Sequence, residues 1–196
     1  NNYSDYDLVI DGAIVHETTY STDRLADEAV SFIEVAGEQP LFLYFTPYAP
    51  HDPAKPSPLD PKDAFSDFSP WRPPSYNETD VSDKPSWVQA LPLLTSDEQT
   101  NGDNFHKRQL RSLLAVDRAI KRMVDSLAKT RKLDNTYFIY LTDNGFSWGE
   151  HRWLDDKRCP YEECLRIPFV VRGPGILPRS DSNSLALNID IAPTLY

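Results

Sequence analysis

The 196-residue sequence is poor in glycine, cysteine and methionine, with seven, two and one of them, and its 20 Lys and Arg are outnumbered by 30 Asp and Glu. Each shortage excludes something. Two cysteines by themselves make a poor metal site, since structural zinc prefers four ligands. A formal net charge of −10 removes the basic face that nucleic acid or an anionic membrane surface would need, so neither is expected as a partner. It does not forbid an anionic substrate, because a local group of Lys, His and a metal ion can invert the field of an acidic protein. No apolar run approaches the ~18–20 residues of a bilayer span; the longest compact one is Leu41-Phe42-Leu43-Tyr44-Phe45. Neither a signal peptide nor an initiating Met is visible, and both ends, at Asn1-Asn2 and at Ile191 to Tyr196, read as those of a processed or excised piece.

What is abundant points to a folded core. The hydrophobic fraction is 40%, with ten Tyr, nine Phe and four Trp, a composition that excludes disorder. The 17 prolines concentrate in the middle, which predicts a long ordered loop over residues 47–104. Ahead of it, two apolar runs in 7–16 flank Asp11-Gly12 and predict a hairpin. Ser21-Thr22-Asp23 could cap a helix running to about Val35 and ending near Gly37, with Leu25, Ala29, Phe32 and Ile33 on one buried face. Residues 41–46 show no polar alternation, as expected of a strand covered on both sides. A short helix is expected around Trp87 to Leu94. The strongest helix runs from Phe105 to about Lys132, with Asp117 inside its apolar stripe and therefore expected to be buried and hydrogen-bonded. Two further buried strands follow, at 137–142 and at Ile167 to Val171. Strands alternating with helices predict an α/β fold with a largely parallel sheet.

In such a fold, ligands bind beyond the carboxyl ends of the strands. Two ends carry suitable groups. Asp143-Asn144-Gly145 offers a carboxylate and an amide oxygen, which suit a hard cation such as calcium, with Gly145 turning the chain away; the same triplet can be a plain Asx turn. Calcium takes about six to eight oxygens, so two donors must be joined by others. His51, after Tyr48-Ala49-Pro50, could donate to an anion or act as a general acid, or simply lie exposed on its loop. The stretch from Trp148 to Arg158 is dense in cations and aromatics that could bind a sulfate or phosphate oxygen, or form a solvated loop. Cys159 and Cys164 read as free or buried thiols, with a local disulfide as the alternative. Asn2 and Asn77 begin glycosylation sequons, a weak pointer to a secretory route.

Three ordered motifs then coincide: Leu43 to His51; Tyr140-Leu141-Thr142-Asp143-Asn144-Gly145 through Arg152; and Asp156-Lys157-Arg158-Cys159-Pro160-Tyr161-Glu162-Glu163 with Arg166-Ile167-Pro168-Phe169 onward to Ile176. This series resembles the type I sulfatases of the alkaline-phosphatase-like superfamily, most closely the N-acetylglucosamine-6-sulfatase and arylsulfatase branch. The resemblance covers nearly all of the chain apart from the proline-rich insert. It implies a three-layer α/β/α sandwich with a mostly parallel sheet, incomplete in this chain, with residues 1–196 forming the C-terminal portion of one catalytic domain. It implies one Ca2+ held by Asp143 and Asn144, sulfate contact by Lys157, and contact of His51 with the sulfate or the leaving oxygen. His151 and Arg152 match a segment near the substrate mouth and are expected to aid recognition. The family nucleophile is a formylglycine made from Cys or Ser in C/S-x-P-x-R. That motif is absent here, as are the paired aspartates that complete the calcium site, so both are expected upstream of Asn1, in a missing N-terminal part of the same enzyme. The implied activity is hydrolysis of a sulfated sugar or aryl sulfate in a secreted, lysosomal or periplasmic setting. The alternatives are a phosphomonoester or phosphonate hydrolase of the same superfamily, which Asn144 argues against, and a non-catalytic sulfate- or carbohydrate-binding pseudoenzyme.

Overall fold

The structure, a computed structural model, describes residues 3–196; the sequon at Asn2 lies outside the described residues. Two units form, one from the chain up to Leu133 with Trp148–Leu154, the other from Asp134–Ser147 with Asp155–Tyr196. In chain order the first holds β1 (Tyr6–Ile10), β2 (Ala13–Glu17), α1 (Ser21–Val35), α2 (Ser86–Gln89) and α3 (Ser96–Lys129). Then come β3 (Phe138–Leu141), β4 (Ser147–Trp148), β5 (Leu154–Asp156), α4 (Glu162–Leu165), β6 (Phe169–Arg172) and α5 (Ile191–Leu195).

In the first unit, β1 and β2 pair antiparallel from Tyr6↔Glu17 to Ile10↔Ala13. Asp11 and Gly12 both have positive φ, 50° and 83°. A type I′ turn requires this, and it matches the twist of the flanking strands. α1 covers the expected residues, but its N-cap is Tyr20 and no side chain caps it. Ser21, Thr22 and Asp23 are instead buried inside its first turn. Phe32, placed on the buried face by periodicity, is 43% exposed, and Ala26 takes its place at 0%.

α3 begins at Ser96, nine residues before the expected start, because Thr95 and Glu98 close a capping box. Its 34 residues span roughly 50 Å. The buried face is Phe105, Gln109, Ser112, Val116, Ala119, Met123 and Leu127, a stripe of mostly small or polar side chains. Asp117 is exposed. It sits one residue from Val116, about 100° around the helix, and this corrects the expectation that it is buried.

Small residues on both helices let α3 lie close against α1. Three ion pairs then fix the register: Arg118 to Asp23 at 2.8 Å, Arg122 to Asp27 at 2.5 Å and Lys129 to Glu34 at 2.9 Å. All three span 95 positions. A constant offset means that the two helices run in the same direction, as the crossover helices of a parallel sheet do on one face. Arg118 also binds Asp60, whose side chain is 4% exposed.

Residues 41–46 form no strand. Phe42 and Tyr44 are 75% and 81% exposed, while Leu41, Leu43 and Phe45 between them are half-buried. The segment is thus extended with a period of two, not covered on both faces. The proline-rich stretch is irregular apart from α2 and the start of α3.

In the second unit, β3 and β6 pair antiparallel from Phe138↔Arg172 to Leu141↔Phe169. β3 is half-buried, and Phe169 and Val170 of β6 are 46% and 57% exposed, so neither strand is sandwiched here.

Replacing Arg118 by Met would leave the Asp60 and Asp23 carboxylates facing each other without a cation. We expect a loss of about 3 kcal/mol, against about 1 kcal/mol for Thr95→Ala at the capping box. Urea denaturation of the two variants measures both.

Candidate functional site

The second unit carries the strand-end donors and the lysine loop. Asp143 follows β3 and is exposed. Its backbone carbonyl accepts the Asn188 amide at 3.4 Å. Asn144 donates its side-chain N–H to the Gly145 carbonyl at 2.7 Å, and the Thr142 hydroxyl donates to the Asn144 carbonyl at 3.0 Å. The Asn144 bond uses the amide nitrogen and keeps Oδ1, the atom a cation needs, out of it.

Gly145 is required for a different reason than a sharp turn. A Cβ there would lie 2.1 Å from the Glu163 carbonyl oxygen and 2.9 Å from that of Arg166, so only glycine permits this approach of two backbones. The Gly145 N–H donates to the Cys164 carbonyl at 2.8 Å. Cys164 is joined to Cys159 by a disulfide with Cα atoms 5.6 Å apart, which corrects the reading of free thiols. The strand end is therefore tied to the loop that presents Lys157.

Lys157 is exposed, and its ammonium enters no ion pair among the described residues. Its backbone is well held. The Asp156 Oδ1 accepts the N–H of Lys157 at 2.7 Å and that of Arg158 at 3.0 Å, and the Arg158 guanidinium binds the same carboxylate. The Arg158 side chain foremost, with these backbone donors, holds the Asp156 carboxyl at about 2. Asp156 was not foreseen; an Asp directly before two residues needing N–H partners is the signal of an Asx turn.

In the first unit, His51 lies exposed on a turn pinned from both sides. The hydroxyl of Tyr3, itself 0% exposed, donates to the His51 carbonyl at 2.6 Å. The Tyr48 ring stands 5.0 Å from the imidazole, and its hydroxyl donates to the Asp52 carbonyl. The His51 Nδ1 lies 3.2 Å from the Asp52 carbonyl, which can only accept, so Nδ1 carries the proton in that bond and Nε2 is left for a ligand.

His151 and Arg152 both adopt positive φ, 53° and 64°, a strained conformation for side chains of this size. The strain is offset by contacts with residues 78–91. His151 Nδ1 meets Glu78 Oε1 at 2.5 Å, and Arg152 donates to the carbonyls of Glu78, Thr79 and Leu91, each at 2.8 Å. Three of the five guanidinium N–H groups are used in this way, leaving two. Next to them, Glu150 is 2% exposed and accepts the Trp71 indole N–H at 2.5 Å and the Trp148 backbone N–H at 2.9 Å. Nothing in the sequence pattern distinguished this buried carboxylate from a surface one. His106, also unforeseen, stacks on Trp148 at 4.2 Å, and burial lowers its pKa. Asn77 exchanges both amide hydrogen bonds with the Leu94 backbone, its Nδ2 donating to the carbonyl and its Oδ1 accepting from the N–H.

Asp143 and Asn144 match a hard divalent cation in kind but not in number. Among the described residues no group of three or more His, Cys, Asp or Glu side chains is arranged to hold a metal.

The sulfatase family model matches residues 1–196. The chain belongs to the sulfatase family. Among sulfatases, an arylsulfatase of Volvox carteri is 38% identical over 90% of this chain and 31% of its own length. The N-acetylglucosamine-6-sulfatase of Homo sapiens is 33% identical over 100% of this chain and 36% of its own length. The chain thus spans about a third of these relatives. A solved structure of a protein in complex with its substrate D-glucosamine-2-N,6-O-disulfate superposes with a TM-score of 0.68 at 25% identity, covering 88% of this chain and 47% of that one. The alkaline-phosphatase-like α/β fold expected from the motifs is that of these sulfatases. This chain holds part of it.

Because Asp156 titrates lower folded than unfolded, it adds stability above about pH 4, which is lost as pH falls toward about 2. The Lys157 and Arg158 amides should stay protected from exchange at about pH 5 and lose protection between about pH 4 and 2. Exchange read residue by residue by NMR tests this.

Proposed function

We propose that the chain is the C-terminal portion of the catalytic domain of a sulfuric ester hydrolase acting on a sulfated sugar or an aryl sulfate. One observation carries the reading: in a sulfatase-family chain, the carboxylate and amide after β3 are joined through Gly145 and Cys164 to the loop bearing an ammonium that enters no ion pair among the described residues. A cation and a tetrahedral anion need these groups side by side.

Asp143 and Asn144 would hold one calcium ion, with the remaining oxygens and the formylglycine supplied by a segment outside these 196 residues. When bound, those groups supply charge neutralisation and the nucleophile. Within the chain, Lys157 binds a sulfate oxygen and stabilises the charge that builds there during ester cleavage. His51 offers Nε2 to the leaving oxygen, as a donor when protonated. His151 and Arg152 take part in substrate recognition from their anchored position beside residues 78–91. The insert from Asp52 to Asn104 shapes the pocket around the leaving group. A sulfated glucosamine is the substrate class favoured by the human relative's name and by the ligand of the solved relative. The neutral Asn144 keeps the site less negative, which favours sulfate monoesters over the metal-rich phosphoester chemistry of the superfamily.

The setting we propose is the secretory route, whether secreted, lysosomal or periplasmic. The disulfide supports it, since such bonds persist in oxidising compartments. No helix among the described residues is long and apolar enough to cross a membrane. Asn2 and Asn77 would be the glycan acceptors.

In the full-length enzyme, Asp143→Ala should lose bound calcium, measured by elemental analysis, together with nearly all sulfate-ester turnover; unchanged metal content would refute the ligand assignment. Lys157→Ala should weaken the sulfate-bound state by about tenfold to a hundredfold, the worth of one charge-assisted hydrogen bond, with little change in melting temperature. Normal hydrolysis by that variant would remove Lys157 from the site.

A further inference from the structure

We infer that Asp156 and the Cys159–Cys164 disulfide are positioning elements for the Lys157 ammonium, together fixing the loop that carries it against the end of β3. The inference rests on the sulfate-binding reading of Lys157 given above. A lysine on an exposed loop has a long, flexible stem and places its charge poorly unless its backbone is held. Here it is held on both sides.

On the N-terminal side, the Asp156 carboxylate accepts the N–H groups of Lys157 and Arg158 at 2.7 and 3.0 Å. The Arg158 guanidinium closes on the same carboxylate at 3.1 and 3.2 Å, which turns its own charge toward Asp156 and leaves Lys157 as the open cation. On the C-terminal side, Cys159 and Cys164 are 6% and 3% exposed. One residue separates Lys157 from Cys159, at most about 7 Å between Cα atoms. Cys164 in turn accepts the Gly145 N–H at 2.8 Å, directly after Asn144. One hydrogen bond and one covalent cross-link therefore join the cation donors to the lysine turn.

The cross-link spans a sequence separation of five. Closing so short a loop removes little entropy from the unfolded chain, so its effect is local geometry more than global stability. Small displacements of an anion-binding charge carry large costs in rate, which is where such a staple has its effect.

The test uses the full-length enzyme with four variants: Asp156→Ala, Asp156→Asn, Lys157→Ala, and Cys159→Ser combined with Cys164→Ser. The readouts are KM and kcat for a sulfate ester, the inhibition constant of inorganic sulfate, calcium content and melting temperature. Asp156→Ala and the double cysteine variant should each weaken inorganic sulfate about tenfold and lower kcat more than they raise KM, with calcium retained. Asp156→Asn keeps an oxygen acceptor for both N–H groups and should lie close to the parent enzyme. If Lys157→Ala weakens sulfate while Asp156→Ala and the double cysteine variant do not, the positioning role is wrong and the reading of Lys157 stands. If Lys157→Ala leaves sulfate unaffected, the reading itself falls and the inference falls with it. Loss of calcium and of melting temperature in both loop variants, without rescue by Asp156→Asn, would show a purely structural role and overturn the inference.

Discussion

The constant spacing between α1 and α3 governs the first unit. Three cations on α3 meet three carboxylates on α1 at the same sequence offset, so the helices share both direction and register. Exposed pairs of this kind contribute little energy singly. Arg118 is the exception, because its partners Asp23 and Asp60 are largely withdrawn from water. Small side chains along the contact, such as Ala26, Ala29, Ser112, Ala115 and Ala119, bring the backbones close enough for these short bridges.

The second unit depends on a smaller constraint, the approach of Gly145 to residues 163–166. The absence of one methyl group lets the strand end and the cysteine loop share a hydrogen bond. The strand end supplies oxygens and the loop supplies an ammonium. In the proposed reading, opposite charges presented from two tied segments would let a metal and an anion neutralise one another, even in a chain of net charge −10. The acidic balance of the whole chain says nothing about that local field.

Legibility followed the physics of each signal. The Asp11-Gly12 hairpin was readable because left-handed turn residues are few and specific. α1 and the body of α3 were readable from their periodicity. The start of α3 was obscured because Thr95 and Glu98 cap it within a stretch rich in proline, serine and aspartate. Asp117 was misjudged because hydrophobicity marks Leu113 and Leu114, whereas the buried stripe uses Gln109, Ser112 and Ser126, which such a pattern cannot see. Candidate site residues were legible only as an ordered set of motifs. The Asp156 turn is local and carries an Asx-turn signal; what the sequence concealed was the Tyr3 anchor under His51 and the Glu78 clasp on His151, which depend on partners distant along the chain. The pairing of Cys159 with Cys164 likewise depends on backbone geometry that spacing leaves open.

The extended residues 41–46 have a consequence of their own. Among the described residues they pair with no strand, with Phe42 and Tyr44 turned to solvent, and Leu43 and Phe45 line an open groove with Leu25 and Phe32. An apolar segment of high β-propensity with free backbone donors and acceptors is a template for intermolecular pairing. In these 196 residues by themselves, this aromatic ribbon is therefore a place where a second chain could add a strand.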